Sequence, residues 1–219
     1  MGKIHSSSVK RKKPLVGVTG IIGSGKTTVS QLFGKLGAVI FDADVTARKV
    51  TEDKRVIQKI GESFGKQVID ANQSLDRRKL ANIVFKDKEK LTQLNNIVHP
   101  LVRKEMWSFV EAKQQWDEVP MIIIDSPLIY ETHLYTFLDY VVVVSANVQT
   151  IIERVQQRSG LSRMEIQDRL ADQIPIEGKM HKANFCIDNT KDIKILDKEV
   201  QSIFQNILIK WKSNANKIL

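Results

Sequence analysis

The chain has 219 residues, 42% hydrophobic and 27% charged, with a net charge of +9 and one cysteine. That length buries a core without staples, and the lone Cys186 excludes an internal disulfide framework. No apolar run approaches the ~20 residues of a membrane-spanning helix, and the first residues lack the apolar stretch of a secretory signal, so a cytoplasmic protein without membrane association is expected.

Much of the positive excess lies in Met1 to Lys13, where Lys3, Lys10, Arg11, Lys12 and Lys13 stand with no acid and Ser6-Ser7-Ser8 interrupts them. Residues 1–13 therefore read as a mobile basic tail ended by Pro14. Elsewhere bases and acids interleave and aromatic residues are only 6%, too few for a stacking platform for single strands. A small polyanionic substrate explains the charge better than a specific nucleic acid. No apolar stripe exceeds what a core needs, so the sequence leaves the oligomeric state open, with a monomer favoured.

Leu15 to Thr19 is a short, wholly apolar strand of the kind found inside a parallel sheet. Gly20-Ile21-Ile22-Gly23-Ser24-Gly25-Lys26-Thr27 follows and opens a helix with Val29, Leu32, Phe33 and Leu36 on one face. A glycine-rich turn between strand and helix points successive N–H groups into one concavity, and the helix start adds partial positive charge. Gly20, Gly23 and Gly25 suit positive φ or close approach, Lys26 can reach the outer phosphates, and the Thr27 hydroxyl can ligate Mg²⁺. This is the pattern of a nucleoside-triphosphate site.

The helix stops at Gly37. A second strand, Ala38 to Phe41, runs into Asp42-Ala43-Asp44, and acids at the carboxyl end of a parallel strand face bound ligand. Asp44 could accept a proton from an attacking hydroxyl; either acid could instead organise water around Mg²⁺.

From 46 to 116 the helical period dominates, through Val56, Ile60 and Phe64, then Leu80, Val84 and Phe85, then Leu91, Leu94 and Val98. Asp76 can cap the helix that follows it, and Pro100 suits the first turn of a further helix from Leu101 to about Gln115, after His99. Arg77 and Arg78 could hold a substrate phosphate. Trp107 and Trp116 read as helix-packing residues. An insertion of this length is expected to carry function.

Met121 to Asp125 returns to the sheet with four apolar residues and an acid, the form of the second NTPase motif. Tyr140 to Val144 is another strand. A helix from about Asn147 to Arg158 and another from Ser162 through Gln173 carry Arg154, Arg158, Arg163 and Arg169, with Lys179 beyond. Such cations could meet charge developing in phosphoryl transfer and close over the site as a lid. Phe185 to Asn189 is the last strand, with Cys186 as core filler, and the segment from Ile193 is a packing helix.

The expected fold is a three-layer α/β P-loop NTPase with a parallel sheet. Its core comprises 14–45, 117–150 and 183–219, with a helical substrate-binding insertion at 46–116 and a small lid at 151–182.

Together these residues resemble the dephospho-CoA kinase family from about Pro14 to Asn189. The likeness rests on Val18-Thr19-Gly20 with Gly23 to Thr27, and on Phe41-Asp42-Ala43-Asp44. It continues in Leu75-Asp76-Arg77-Arg78-Lys79-Leu80, Val84-Phe85, Leu94-Asn95, His99-Pro100-Leu101 and Pro127-Leu128-Ile129-Tyr130-Glu131. Arg154, Arg158, Gln173, Ala183-Asn184-Phe185 and Ile187-Asp188-Asn189 complete it.

The resemblance implies transfer of the ATP γ-phosphate to the ribose 3′-hydroxyl of dephospho-CoA. It makes Asp44 the base, with Lys26 and Arg154 as catalytic partners. ATP falls to Gly20, Ile22, Gly23, Ser24, Gly25, Lys26, Thr27, Thr28 and Asn189, with Thr27 on Mg²⁺. Dephospho-CoA falls to Asp42, Arg77, Arg78, His99, Pro127 and Leu128. A nucleoside or nucleoside-monophosphate kinase shares the core, and a nucleotide-gated nucleic-acid binder using the tail is the alternative from another class.

Overall fold

A computed structural model describes residues 11–160, 162–171, 173–190 and 192–216. The chain forms two compact units, residues 1–41 with 112–219, and residues 42–111.

The first unit is built on strands β1 (Leu15–Thr19), β2 (Val39–Asp42), β3 (Ile122–Asp125), β4 (Tyr140–Ser145) and β5 (Phe185–Asp188). They lie in the order β2-β3-β1-β4-β5. β1 pairs parallel with β3 and β4, and β4 pairs parallel with β5. β1, β3 and the first five residues of β4 are buried throughout, which is why they read as unbroken apolar runs rather than alternating ones.

Helix α1 (Lys26–Lys35) leaves the β1 loop and buries Val29, Leu32 and Phe33. The C-terminal helix, Ile193–Asn216, brings Leu196, Val200, Ile203, Phe204 and Ile207 into the same cluster as Val16, Val18 and Ile123 of the sheet. These five positions recur every three to four residues, one stripe of a helix. The sequence pattern thus locates both the helix and its buried face.

The second unit contains α2 (Ala43–Val50), α3 (Lys54–Phe64) and α4 (Arg77–Val84). Val56, Ile60, Phe64, Val68, Leu80, Val84 and Ile97 form its core. Asp76 caps α4 by accepting from the Lys79 N–H at 3.0 Å, as expected. Phe85, expected in the apolar stripe, is exposed. It closes α4 at the C-cap, one position beyond Val84, where the buried face has turned away.

Helix α5 (Lys88–Gln114) corrects the break expected at Pro100, because the helix runs through that proline. Proline removes one intrahelical donor. The buried positions Ile97, Val98, Met106 and Val110 nevertheless continue on both sides of it, and their packing sustains the helix. His99 is accordingly a mid-helix residue and not one at a helix start. The second strand starts at Val39 rather than Ala38 and includes Asp42 as its last residue, and Ala43 and Asp44 are already helical.

The first unit also holds α6 (Val148–Ser159), α7 (Arg163–Ala171) and α8 (Ile176–Met180). With these, the C-terminal helix is α9. Asn147 caps α6 through the Thr150 N–H. Ser162 and Glu165 cap α7 reciprocally, the serine oxygen on the Glu165 N–H and the glutamate on the Ser162 N–H.

Three further expectations are corrected. Arg11 to Lys13 are not tail. Arg11 pairs with Asp139 at 3.0 Å, and Lys13 is buried with its ammonium on the Gln114 carbonyl. Gln114 Oε1 accepts the N–H groups of both Lys12 and Lys13. Residues 1–10 lie outside the described residues.

Cys186 is exposed rather than core. β5 is an edge strand, and Cys186 points away from the face on which Ile187 is buried. Trp116 is half-exposed as well, with the Lys113 ammonium 3.0 Å from its ring centroid.

Candidate nucleotide-binding site

The loop between β1 and α1 lies at the carboxyl end of the central strand, where the sheet opens. Gly25 occupies the N-cap of α1 with φ 87°, in the left-handed region that disfavours a side chain. A Cβ there would also collide with the Asn189 amide, and one on Gly20 would collide with the Val144 carbonyl. Both glycines are therefore required by their neighbours.

Asn189 ties the loop to the end of β5. Its Nδ2 donates to the Ser24 carbonyl at 2.8 Å, and its own N–H donates to Ser145 O at 2.8 Å, continuing the sheet. Arg154, on α6, donates from Nη2 to the Asn189 carbonyl at 3.0 Å. Its Nη1 is buried and has no hydrogen-bond partner among the described residues.

These groups surround an open cleft of about 300 Å³ lined by Gly25, Thr28, Arg154, Asn189 and Ile193. The volume is at the lower end of small-molecule clefts, about 300–1,000 Å³. The cleft has the N-terminus of α1 on one side, a guanidinium on another and an exposed isoleucine at its rim. It can hold an anionic group together with a flat apolar one.

Gly20, Ile22, Gly23, Ser24, Gly25, Lys26, Thr27 and Thr28 all lie in this loop and the first turn of α1, and Thr27 and Thr28 are exposed. The start of a helix suits an anion, although here the Thr28 N–H already donates to the Gly25 carbonyl at 3.0 Å. Asp125 is buried at the end of β3, in register with Val18 of β1. Among the described residues no three acids or histidines cluster as a metal cage.

Of the arginines weighed from sequence, Arg154 lines the cleft, and among the described side chains Arg158 and Arg163 are exposed on α6 and α7. The Arg169 side chain lies outside what is described. Lys179 is corrected: it is fully buried, 2.7 Å from Glu131 Oε1, and donates to Pro127 O at 2.8 Å. It carries no charge to the surface. Pro127 and Leu128, half-buried, lie on the loop after β3 that this lysine holds.

Asp42, Asp44, Arg77, Arg78 and His99 belong to the second unit. Asp42 caps α2, its Oδ1 accepting from the Val45 N–H at 2.8 Å. Asp44 is exposed in the first turn of that helix. Arg77 donates to the Arg48 carbonyl at 3.0 Å and lies 3.7 Å from Glu52, while Arg78 is exposed. Partial burial of His99, with Arg103 one helical turn away, pushes its pKa below the ordinary value. Burial likewise pushes the Tyr130 hydroxyl up to about 12, so it stays protonated at neutral pH.

Sequence reasoning missed Ile193 at the cleft, reading it only as a helix start, and the buried Lys179–Glu131 pair. Both need the β5–α9 and α8–β3 juxtapositions, which leave no local signal.

A chain named dephospho-CoA kinase from Bacillus thuringiensis subsp. konkukian is 40% identical over 200 residues, covering 90% of this chain and 96% of its own. One so named from Leptospira interrogans is 31% identical over 206 residues, covering 94% and 98%.

Among solved structures, TT1252 from Thermus thermophilus superposes with a TM-score of 0.76 at 31% identity, covering 89% of this chain and 97% of its own. The dephospho-CoA kinase from Campylobacter jejuni gives 0.59 at 27%, covering 90% and 98%. The family model described as dephospho-CoA kinase matches residues 14–194, and with relatives of this identity over nearly the whole chain, the protein belongs to the dephospho-CoA kinase family.

Proposed function

We propose that this protein transfers the γ-phosphate of ATP to the ribose 3′-hydroxyl of dephospho-CoA, giving coenzyme A and ADP. The observation that carries the reading is the cleft in which the Gly25 cap of α1, Arg154 and the Asn189 turn converge. Membership of the family supplies the acceptor.

Phosphoryl transfer needs little covalent chemistry from the protein and much positioning. The loop N–H groups other than those of Ile22 and Ser24, which bond within the protein, and Lys26 hold the β- and γ-phosphates, and Arg154 holds the nucleotide from the α6 side. Asp44 takes the proton of the 3′-hydroxyl as its oxygen bonds to the γ-phosphorus. The bond from that phosphorus to the bridging oxygen breaks, and ADP leaves with the electron pair.

Mg²⁺ suits the donors present, because it keeps several waters and needs few protein ligands when phosphates supply the rest. Thr27 would hold it, and it would neutralise charge on the β- and γ-oxygens. Asp42, Arg77, Arg78, His99, Pro127 and Leu128 form the acceptor side of the reading, and residues 151–182 its lid. In this reading the enzyme is a monomer of the cytoplasm; no helix among the described residues is long and apolar enough to cross a membrane.

ADP release with ATP and Mg²⁺, run in parallel with dephospho-CoA, a nucleoside and adenosine monophosphate, tests the proposal. Turnover confined to dephospho-CoA is expected. Turnover with the nucleoside or the monophosphate instead would replace the acceptor.

A further inference from the structure

One peptide of the phosphate loop is held at both ends. The Ile21 carbonyl accepts from the Ser24 N–H at 3.2 Å, within the loop itself. The N–H of the same peptide unit, that of Ile22, donates to Gln173 Oε1 at 3.1 Å. Without Gln173 the peptide plane would be fixed only from its carbonyl side.

Gln173 is anchored from the side away from the loop. Its own N–H donates to the Leu170 carbonyl at 3.2 Å, and the next N–H, of Ile174, donates to Glu131 Oε1 at 3.2 Å. The fully buried Lys179 holds that same oxygen at 2.7 Å and the Pro127 carbonyl at 2.8 Å. Ile174 and Ile176 pack against Ile129 and Tyr130. The glutamine is thereby delivered to the loop by a buried ion pair and an apolar contact on the far side of the segment.

We propose that Gln173 is a positioning residue for phosphoryl transfer, its amide oxygen setting the orientation of the Ile21–Ile22 peptide and so the crown of the loop around the γ-phosphate. The inference rests on the kinase reading above. Preorganised donors act only when fixed before the charge develops, and a small misplacement is felt mainly in the transition state. Gln173 acts through the loop peptide that it bonds, so its loss lowers kcat more than it weakens ATP binding.

Gln173→Met keeps the side chain's length and removes the acceptor; Gln173→Glu keeps the acceptor and adds a charge beside the phosphates. The test combines the Ile22 amide proton resonance of the nucleotide-free full chain, thermal melting, and steady-state kinetics with ATP and dephospho-CoA.

In Gln173→Met the Ile22 resonance should move upfield and kcat should fall about tenfold or more, with melting unchanged. The KM for ATP should stay within about threefold of the parent's. In Gln173→Glu the resonance should stay hydrogen-bonded while the KM for ATP rises. An unshifted Ile22 resonance in Gln173→Met, or a kcat within about twofold of the parent's, would overturn the proposal. So would a loss of kcat that follows a lowered melting temperature. A parent that never turns over dephospho-CoA would instead overturn the kinase reading, and the Ile22 resonance would still decide the contact.

Discussion

Asn189 reaches back from the end of β5 to Ser24, its amide donating to the serine carbonyl at 2.8 Å inside the fold. Asn189 is itself buried. This bond makes the phosphate loop and the last strand one body. Asn189→Leu removes the donor and leaves the Ser24 carbonyl unsatisfied, at a cost of about 1–3 kcal/mol. Chemical denaturation should show that loss, and ATP titration should show weaker binding. Unchanged ATP affinity would separate this bond from nucleotide recognition.

Gly25 offers a sharper version. A methyl group there meets both the φ of 87° and the Asn189 amide. Gly25→Ala should leave the sheet and its circular dichroism intact while ATP binding by calorimetry is lost. Retained binding would show that the loop can shift to accommodate a side chain.

Lys179 is fully buried and its partner Glu131 partly so, and removing the lysine charge strands the carboxylate. Lys179→Met should destabilise the protein by about 3–5 kcal/mol. In the double variant Lys179→Met/Glu131→Gln the stranded carboxylate is gone, so urea unfolding should recover most of that loss. If the double variant is no more stable than the single one, the cost lies in packing and not in the unpaired charge.

Asp44→Asn keeps the size of the side chain and removes the proton acceptor. Turnover should fall by about 10²–10⁴-fold with ATP affinity retained. ADP release and ATP titration on the same preparation measure both. Near-normal turnover would remove Asp44 from the chemistry.

His99 sets a pH dependence. Its folded pKa lies below the ordinary 6.5 because burial, and then the Arg103 charge, disfavour the imidazolium. The unfolded chain therefore takes up the proton first. The stability that His99 contributes is complete above 6.5 and is lost as pH falls through the folded value. Unfolding midpoints should decline as pH drops from about 7 toward 5, and His99→Gln should shrink that decline. An identical profile in the variant would assign the acid sensitivity elsewhere.

The amino-acid sequence by itself determined the strand–loop–helix around Gly20 to Thr27, the apolar strands of the sheet and the stripe of α9. Each is a local pattern: glycine conformational freedom, unbroken β-branched runs, and a 3.6-residue period. Sequence also placed the Asp76 cap, because a capping side chain reaches only two or three residues along. Cys186, Phe85 and Trp116 were misjudged from hydrophobicity alone. Burial depends on which face an element turns to its neighbour, and an edge strand or helix end turns an apolar residue outward. The continuity of α5 through Pro100 was decided by buried residues on both sides of the proline, outweighing one missing hydrogen bond. Only tertiary structure places Arg154 at the cleft while Arg158 and Arg163 are exposed, buries Lys179 on Glu131, and brings Gln173 to Ile22. Those contacts join residues far apart in the chain, whose meeting depends on the packing of whole elements.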